Sequence, residues 1–241
     1  MIGVPSTGLS WRPWPVGGSF RSFNPAASAD GWIGAALVTL PVFLQAPWAR
    51  LAPWSATLFT AVLVGIGVLL ERRIDARLRL AGIILVGFAG SWLGGSLFWG
   101  WCRLHPLWHL PIEGFALPLA LAGLSGRWRL GCALYLGSLA GTAATDGVIA
   151  LTGLMPLWPQ ILLAEPGAAA LLLQQAAQQL LQPSALCVLV AAAALLLRVS
   201  QWIWPLGQVG RVAAAALATT LAIDALFLGA ALLAPSWSGL I

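Results

Sequence analysis

From Gly31 onward the chain is a succession of apolar runs, and nearly all of its arginines fall in the short segments between them. A helix rises about 1.5 Å per residue, so about 20 mostly apolar residues are needed to cross the hydrocarbon core of a bilayer. Runs of that length, repeated along the chain, leave lipid as the only solvent that suits it. Composition agrees: of 241 residues, 60% are hydrophobic and 8% charged, against about 25% charged in an ordinary soluble domain. So few charges cannot cover a water-exposed surface. The expected fold class is all-α, a polytopic transmembrane helix bundle.

Seven spans are predicted, near residues 31–47, 53–70, 80–101, 107–124, 130–154, 183–197 and 212–234. The sixth is short and is expected to borrow residues from the segment before Pro183. With the N-terminus inside and the C-terminus outside, ten of the twelve arginines fall on the inner side. Only Arg50 and Arg103 lie outside, the asymmetry that the positive-inside rule requires. Tryptophans mark both boundaries: Trp32, Trp128, Trp202 and Trp204 the inner, Trp48, Trp54, Trp101, Trp108, Trp158 and Trp237 the outer. Trp92 alone falls plainly mid-span.

Residues 1–30 are expected to form a flexible cytoplasmic tail and residues 31–241 one transmembrane helical domain. The tail holds Arg12 and Arg21, has transit-peptide-like composition, and ends at Asp30, a candidate cap for the first helix. Between the fifth and sixth spans, Gln174, Gln175, Gln178, Gln179 and Gln182 recur on one side of a helical segment, 168–182. That pattern predicts an uncharged amphipathic helix on the outer leaflet; the alternative is continuation into the sixth span through a kink at Pro183. Gly90-x3-Gly94 and Gly137-x3-Gly141 are candidate close approaches between helices. Pro106-Leu107-Trp108 recurs as Pro156-Leu157-Trp158 on the same predicted side.

All the basic residues are arginine, with no lysine. This excludes a P-loop lysine, and hence that mode of nucleotide binding, and equally a pyridoxal or retinal Schiff base. The arginines are dispersed at segment ends, which argues against nucleic acid as a partner. The expected partner is the bilayer, with a larger membrane complex as a further candidate. Cys102, Cys132 and Cys187 are too scattered for a disulfide framework and are expected to be free thiols.

Ionisable groups inside a membrane are costly and therefore functional candidates. Glu113, Asp146 and Asp224 fall inside predicted spans, and Arg103, His105 and His109 lie beside them in the outer half. Together they predict a polar cavity open to the non-cytoplasmic side. His109 and Glu113, four apart, share a helix face, and Pro111 and Pro118 predict a bend in the same span. No cofactor is firmly indicated. A metal held by His105, His109 and Glu113, or a histidine-ligated chlorophyll or porphyrin, is compatible with the residue types. The histidines otherwise serve as interfacial anchors beside a proton- or substrate-binding glutamate.

The run Phe98-Trp99-Gly100-Trp101, followed by His105-Pro106-Leu107-Trp108-His109-Leu110-Pro111-Ile112-Glu113, resembles an uncharacterised cyanobacterial family of polytopic membrane proteins, a domain of unknown function. The resemblance rests on residues 92–125 and implies a plasma or thylakoid membrane, but no activity. Leu110-Pro111-Ile112-Glu113 also resembles, locally, the Pro-x-Glu-Glu motif of membrane-embedded lycopene cyclases, with Gly114 in place of the second acid. That likeness implies a Glu113 that protonates a polyene. Three readings follow: a transport- or carrier-like protein, a non-catalytic assembly or scaffold subunit of a photosynthetic membrane complex, and a membrane enzyme acting on a prenyl lipid or carotenoid. The first is the leading expectation, with catalysis less favoured.

Overall fold

The computed structural model describes residues 29–237, with side chains from Gly31 to Ser236. The predicted tail thus lies outside the described residues up to position 28, as does the side chain of Asp30. Helix α1 (Ala29–Leu40) already includes Asp30 in its first turn, so Asp30 does not precede the helix as a cap. All the regular structure among the described residues is helical. Six helices are long and apolar enough to cross a membrane, and many of their large apolar side chains face outward, as a lipid-solvated surface requires.

The first of these runs is Gly31–Leu51. It is α1 continued by a π-helical segment (Pro41–Gln45) and α2 (Ala46–Leu51). Pro41 has no N–H to donate, which favours the irregular turn there. Helix α3 (Pro53–Glu71) returns antiparallel, and Asp75 caps α4 (Ala76–Leu97) by accepting the amide hydrogens of Arg77 (2.8 Å) and Leu78 (3.0 Å). A second π-helical segment, Phe98–Cys102, ends that run.

The fourth predicted span differs from expectation. Residues 107–124 do not form one helix. They form a 3-10 turn (Pro106–Trp108), the five-residue α5 (His109–Glu113), a second 3-10 turn (Gly114–Ala116) and α6 (Leu117–Gly123). Pro111 and Pro118 each remove a donor, and the Tyr135 hydroxyl enters the break. It donates to the Glu113 carbonyl and accepts the Ala116 N–H at 3.2 Å. The broken segment nevertheless runs the length of the bundle, antiparallel to α7 (Arg129–Leu151). His109 lies beside Asp146, Glu113 beside Thr142, and Gly123 beside Cys132. Tyr135→Phe should therefore lower the unfolding temperature in detergent by the equivalent of about 1–3 kcal/mol, because it strips a donor and an acceptor from freed backbone.

Two short helices, α8 (Leu157–Leu163) and α9 (Pro166–Leu180), follow α7. Helix α9 sets Leu173 and Ala177 against Ala231 near the end of α11 (Gly207–Leu233), while Gln175 and Gln178 stay exposed. It does not continue into α10 (Pro183–Ile203): Gln182 is extended (φ −60°, ψ 144°) and Pro183 opens a new helix. Nor does α10 need residues from before Pro183, because it gains its length at the other end, to Ile203. Gly153 and Gly207 take positive φ (73° and 79°) at the turns after α7 and before α11, where a side chain would be strained.

Glycines set the helix contacts. Both predicted pairs are used: Gly90 faces the Tyr135 ring and Gly94 the Glu113 backbone, while Gly137 and Gly141 lie against Ala213 and Thr220 of α11. Between α4 and α7, Gly87 lies directly against Gly131, a pair outside either motif. At the centre, Trp92 is buried among Trp48, Phe59 and Phe88 and donates its indole N–H to the Ala56 carbonyl at 2.8 Å. Gln45, 1% exposed, donates to the Trp92 carbonyl and to Ser96 Oγ. This polar knot ties the first π-helical segment to α4. The cysteines are free, with Cys187 exposed on α10.

Candidate functional site

The helix break carries the polar centre of the molecule. Because α5 keeps one full helical turn before the Gly114 break, His109 and Glu113 stay on one face, with His109 Nε2 3.3 Å from Glu113 Oε1. The other ring nitrogen, Nδ1, lies 3.0 Å from Asp146 Oδ1 on α7. The imidazole is thus held between two carboxylates. The three side chains are 16–18% exposed. Phe98, fully buried at the start of the second π-helical segment, stacks on the imidazole with ring centroids 4.1 Å apart.

Threonines one turn apart complete the arrangement. Thr142 donates to Glu113 Oε2 at 3.0 Å and Thr145 to Asp224 Oδ2 of α11 at 2.6 Å. Positions 142, 145 and 146 share one face of α7, so a single helix face addresses both the broken segment and α11. The close approach depends on glycine at Gly94, where a Cβ would lie 2.8 Å from Glu113 Cα.

Of the predicted residues, Glu113, His109, Asp146 and Asp224 come together. Arg103 and His105 do not join them. The Arg103 guanidinium turns to the Trp99 carbonyl (3.2 Å), and His105 is exposed in the turn before Pro106. His105, His109 and Glu113 therefore do not assemble a metal site. Among the described residues no group of three His, Cys, Asp or Glu is placed to hold a metal ion. Both nitrogens of His109 face carboxylates, which leaves no free position for a porphyrin metal. Tyr135, Thr142 and Thr145 were missed by sequence reasoning, because a lone hydroxyl in an apolar helix carries no spacing signal.

Two cavities flank the centre, and neither is lined by the three carboxylates. One, of about 570 Å³, is an apolar groove between the broken segment and α7, walled by Leu110, Pro111, Leu117, Leu136, Leu139 and Ala143 among others. The second, of about 340 Å³, lies between the Pro106 and Pro156 turns and includes His105 and Met155. The two Pro-Leu-Trp repeats thus meet across one cleft, and the Trp158 indole N–H donates to the Arg103 carbonyl at 2.7 Å.

The chemistry of the centre follows from counting protons. Each of the two nitrogen–oxygen contacts needs one proton, whether it sits on nitrogen or on oxygen. The trio is therefore satisfied with two protons and a net charge of −1, and a third proton makes it neutral. Such a unit can take up and release a proton without losing its hydrogen bonds, provided one carboxyl oxygen faces outward.

An all-helical bundle with six membrane-length apolar helices and a carboxylate–imidazole–carboxylate centre at a helix break defines a polytopic membrane protein. Residues 34–232 match the model of a family described as a protein of unknown function, DUF3120, and the chain belongs to that family. No curated protein and no solved structure matches it.

Proposed function

We propose that this protein is a carrier-type membrane protein in which Glu113, His109 and Asp146 form a proton-binding site coupled to the movement of a solute. The observation that carries the reading is the imidazole held between two carboxylates at the point where a membrane-embedded segment loses its helical continuity. Interrupted helices are tolerated at membrane depth chiefly where they face protein or a wet cavity, and intramembrane acids mark ion and proton paths. In this reading the broken segment counts as a seventh crossing. The N-terminus lies inside, the site is reached from the non-cytoplasmic side, and α9 rests on the outer leaflet. We place the protein in the plasma or thylakoid membrane of a cyanobacterium, following the resemblance around residues 92–125.

Polyene protonation is less well supported, because both Glu113 oxygens already have partners, His109 and Thr142. A proton donor aimed at an apolar substrate would need one of them free. The apolar groove beside the centre favours a lipid-directed enzyme as the second reading; a deletion strain with an unchanged lipid and pigment profile eliminates it.

The carrier reading is tested with proteoliposomes on a solid-supported membrane, challenged with jumps in amino acids, organic acids, organic cations and inorganic ions across a pH step. Wild type should give a transient current with one solute class. Glu113→Gln should lower that current at least about tenfold while inserting normally, since it removes one of the two carboxylates that share the protons with His109. Silence of wild type across the whole panel refutes a carrier.

A further inference from the structure

We propose that the arginine-rich end of the bundle binds the headgroups of anionic phospholipids, with the phosphate seated between the α3–α4 turn and the α6–α7 turn. Arg72, Arg73, Arg77 and Arg79 lie in or just after the first of these turns. Arg127 and Arg129 lie at the second, and all six are exposed. Arg127 Nη1 reaches Glu71 Oε1 at 3.3 Å, which brings the two turns together. The packing of Gly131 against Ile83 and Gly87 sets the start of α7 beside α4. The six guanidinium groups therefore share one end of the molecule.

The neighbouring acids are already engaged. Asp75 accepts the Arg77 and Leu78 amide hydrogens, and Glu71 is mostly buried against Arg127. Among the described residues Arg127 is the only one of the six in an ion pair. It is 69% exposed, and with one nitrogen at Glu71 it keeps further N–H donors for an outside anion. A guanidinium matches two oxygens of a phosphate at once, which an ammonium does not.

What fixes the occupant as lipid is the apolar company of these charges. Ile74 is 98% exposed between Arg73 and Asp75, and Leu69, Leu78 and Leu124 are exposed around the same turns. The Arg127 guanidinium lies over the Trp128 ring, 5.1 Å from its centroid, an aromatic placement suited to headgroup level. Free phosphate offers nothing to an exposed isoleucine and its leucine neighbours. A phospholipid supplies phosphate to the arginines and an acyl chain to Ile74. This inference does not depend on the carrier reading.

The experiment incubates the purified full-length protein, in neutral detergent micelles, with fluorescent phosphatidylglycerol or phosphatidylcholine bearing the same acyl chains, and measures retention on the captured protein. Wild type is expected to retain phosphatidylglycerol at least about fivefold over phosphatidylcholine, with the preference lost near 0.5 M salt as charge screening predicts. R72Q/R73Q/R77Q/R79Q should bring the ratio close to unity, and Arg50→Gln at the opposite end should not change it. Equal retention of the two lipids by wild type overturns the proposal, as does a preference that survives high salt. Displacement of the lipid by equimolar inorganic phosphate overturns the lipid as occupant. The wild-type measurements decide the matter even where the quadruple variant yields no folded protein.

Discussion

Gly131→Val is expected to abolish recovery of folded protein, whereas Gly65→Val should leave yield and melting temperature unchanged. Both place a β-branched side chain in a membrane-length helix, so propensity and hydropathy change alike. They differ in what the new Cβ meets. At Gly65 nothing lies within 4 Å. At Gly131 it would strike the Ile83 carbonyl and lie 3.1 Å from the Gly87 nitrogen and 3.2 Å from its Cα. These neighbours are backbone atoms of α4 and cannot rotate aside. Relief requires the two helices to separate, which forfeits the packing that holds helices together where lipid is as apolar as the side chains. Overpacking usually costs about 1–3 kcal/mol when side chains can adjust, and here the cost should exceed that range. Fluorescence-detected size-exclusion chromatography of the two variants makes the comparison. A monodisperse Gly131→Val peak at wild-type height contradicts the importance of this crossing.

That crossing also shows where sequence reading stops. Membrane-length runs, end-placed arginines and the prolines at 111 and 118 are local patterns, and they led directly to the helical bundle and to trouble in the fourth segment. His109 and Glu113 could be placed on one face because four residues make about one helical turn. Asp146 could be assigned a depth but not a partner: it is 37 positions from His109, and no local pattern reports on such a pairing. Gly87 and Gly131 belong to different helices and only become a motif once the crossing exists. Arg103 and His105 stand apart from the centre for a local reason. They precede Pro106, where the backbone at His105 is non-helical (φ −118°, ψ 78°), so adjacency in sequence to His109 does not carry them to the same face. The knot around Gln45 was likewise hidden, because one glutamine in an apolar run looks like noise until Ser96 and the Trp92 carbonyl are seen to face it.

His109→Leu should destabilise the protein more than the triple variant H109L/E113Q/D146N, although the triple variant changes two more residues of the centre. In wild type one imidazole satisfies two carboxylates (3.3 Å to Glu113, 3.0 Å to Asp146). Leucine deletes both contacts and leaves two like charges near each other, with only the Thr142 hydroxyl still directed at Glu113. Removing one partner from a buried ion pair typically costs about 3–5 kcal/mol, because the remaining charge is desolvated without compensation. The partial exposure of these side chains places the expected loss toward the lower end. Neutral amides at positions 113 and 146 remove that charge, and Thr142 can still donate to the side-chain amide oxygen introduced at position 113, so part of the loss should return. Melting temperatures of wild type, the single and the triple variant in one detergent provide the measurement. If His109→Leu melts no lower than the triple variant, the imidazole is not what holds the carboxylates in place, and the proton-counting basis of the site goes with it.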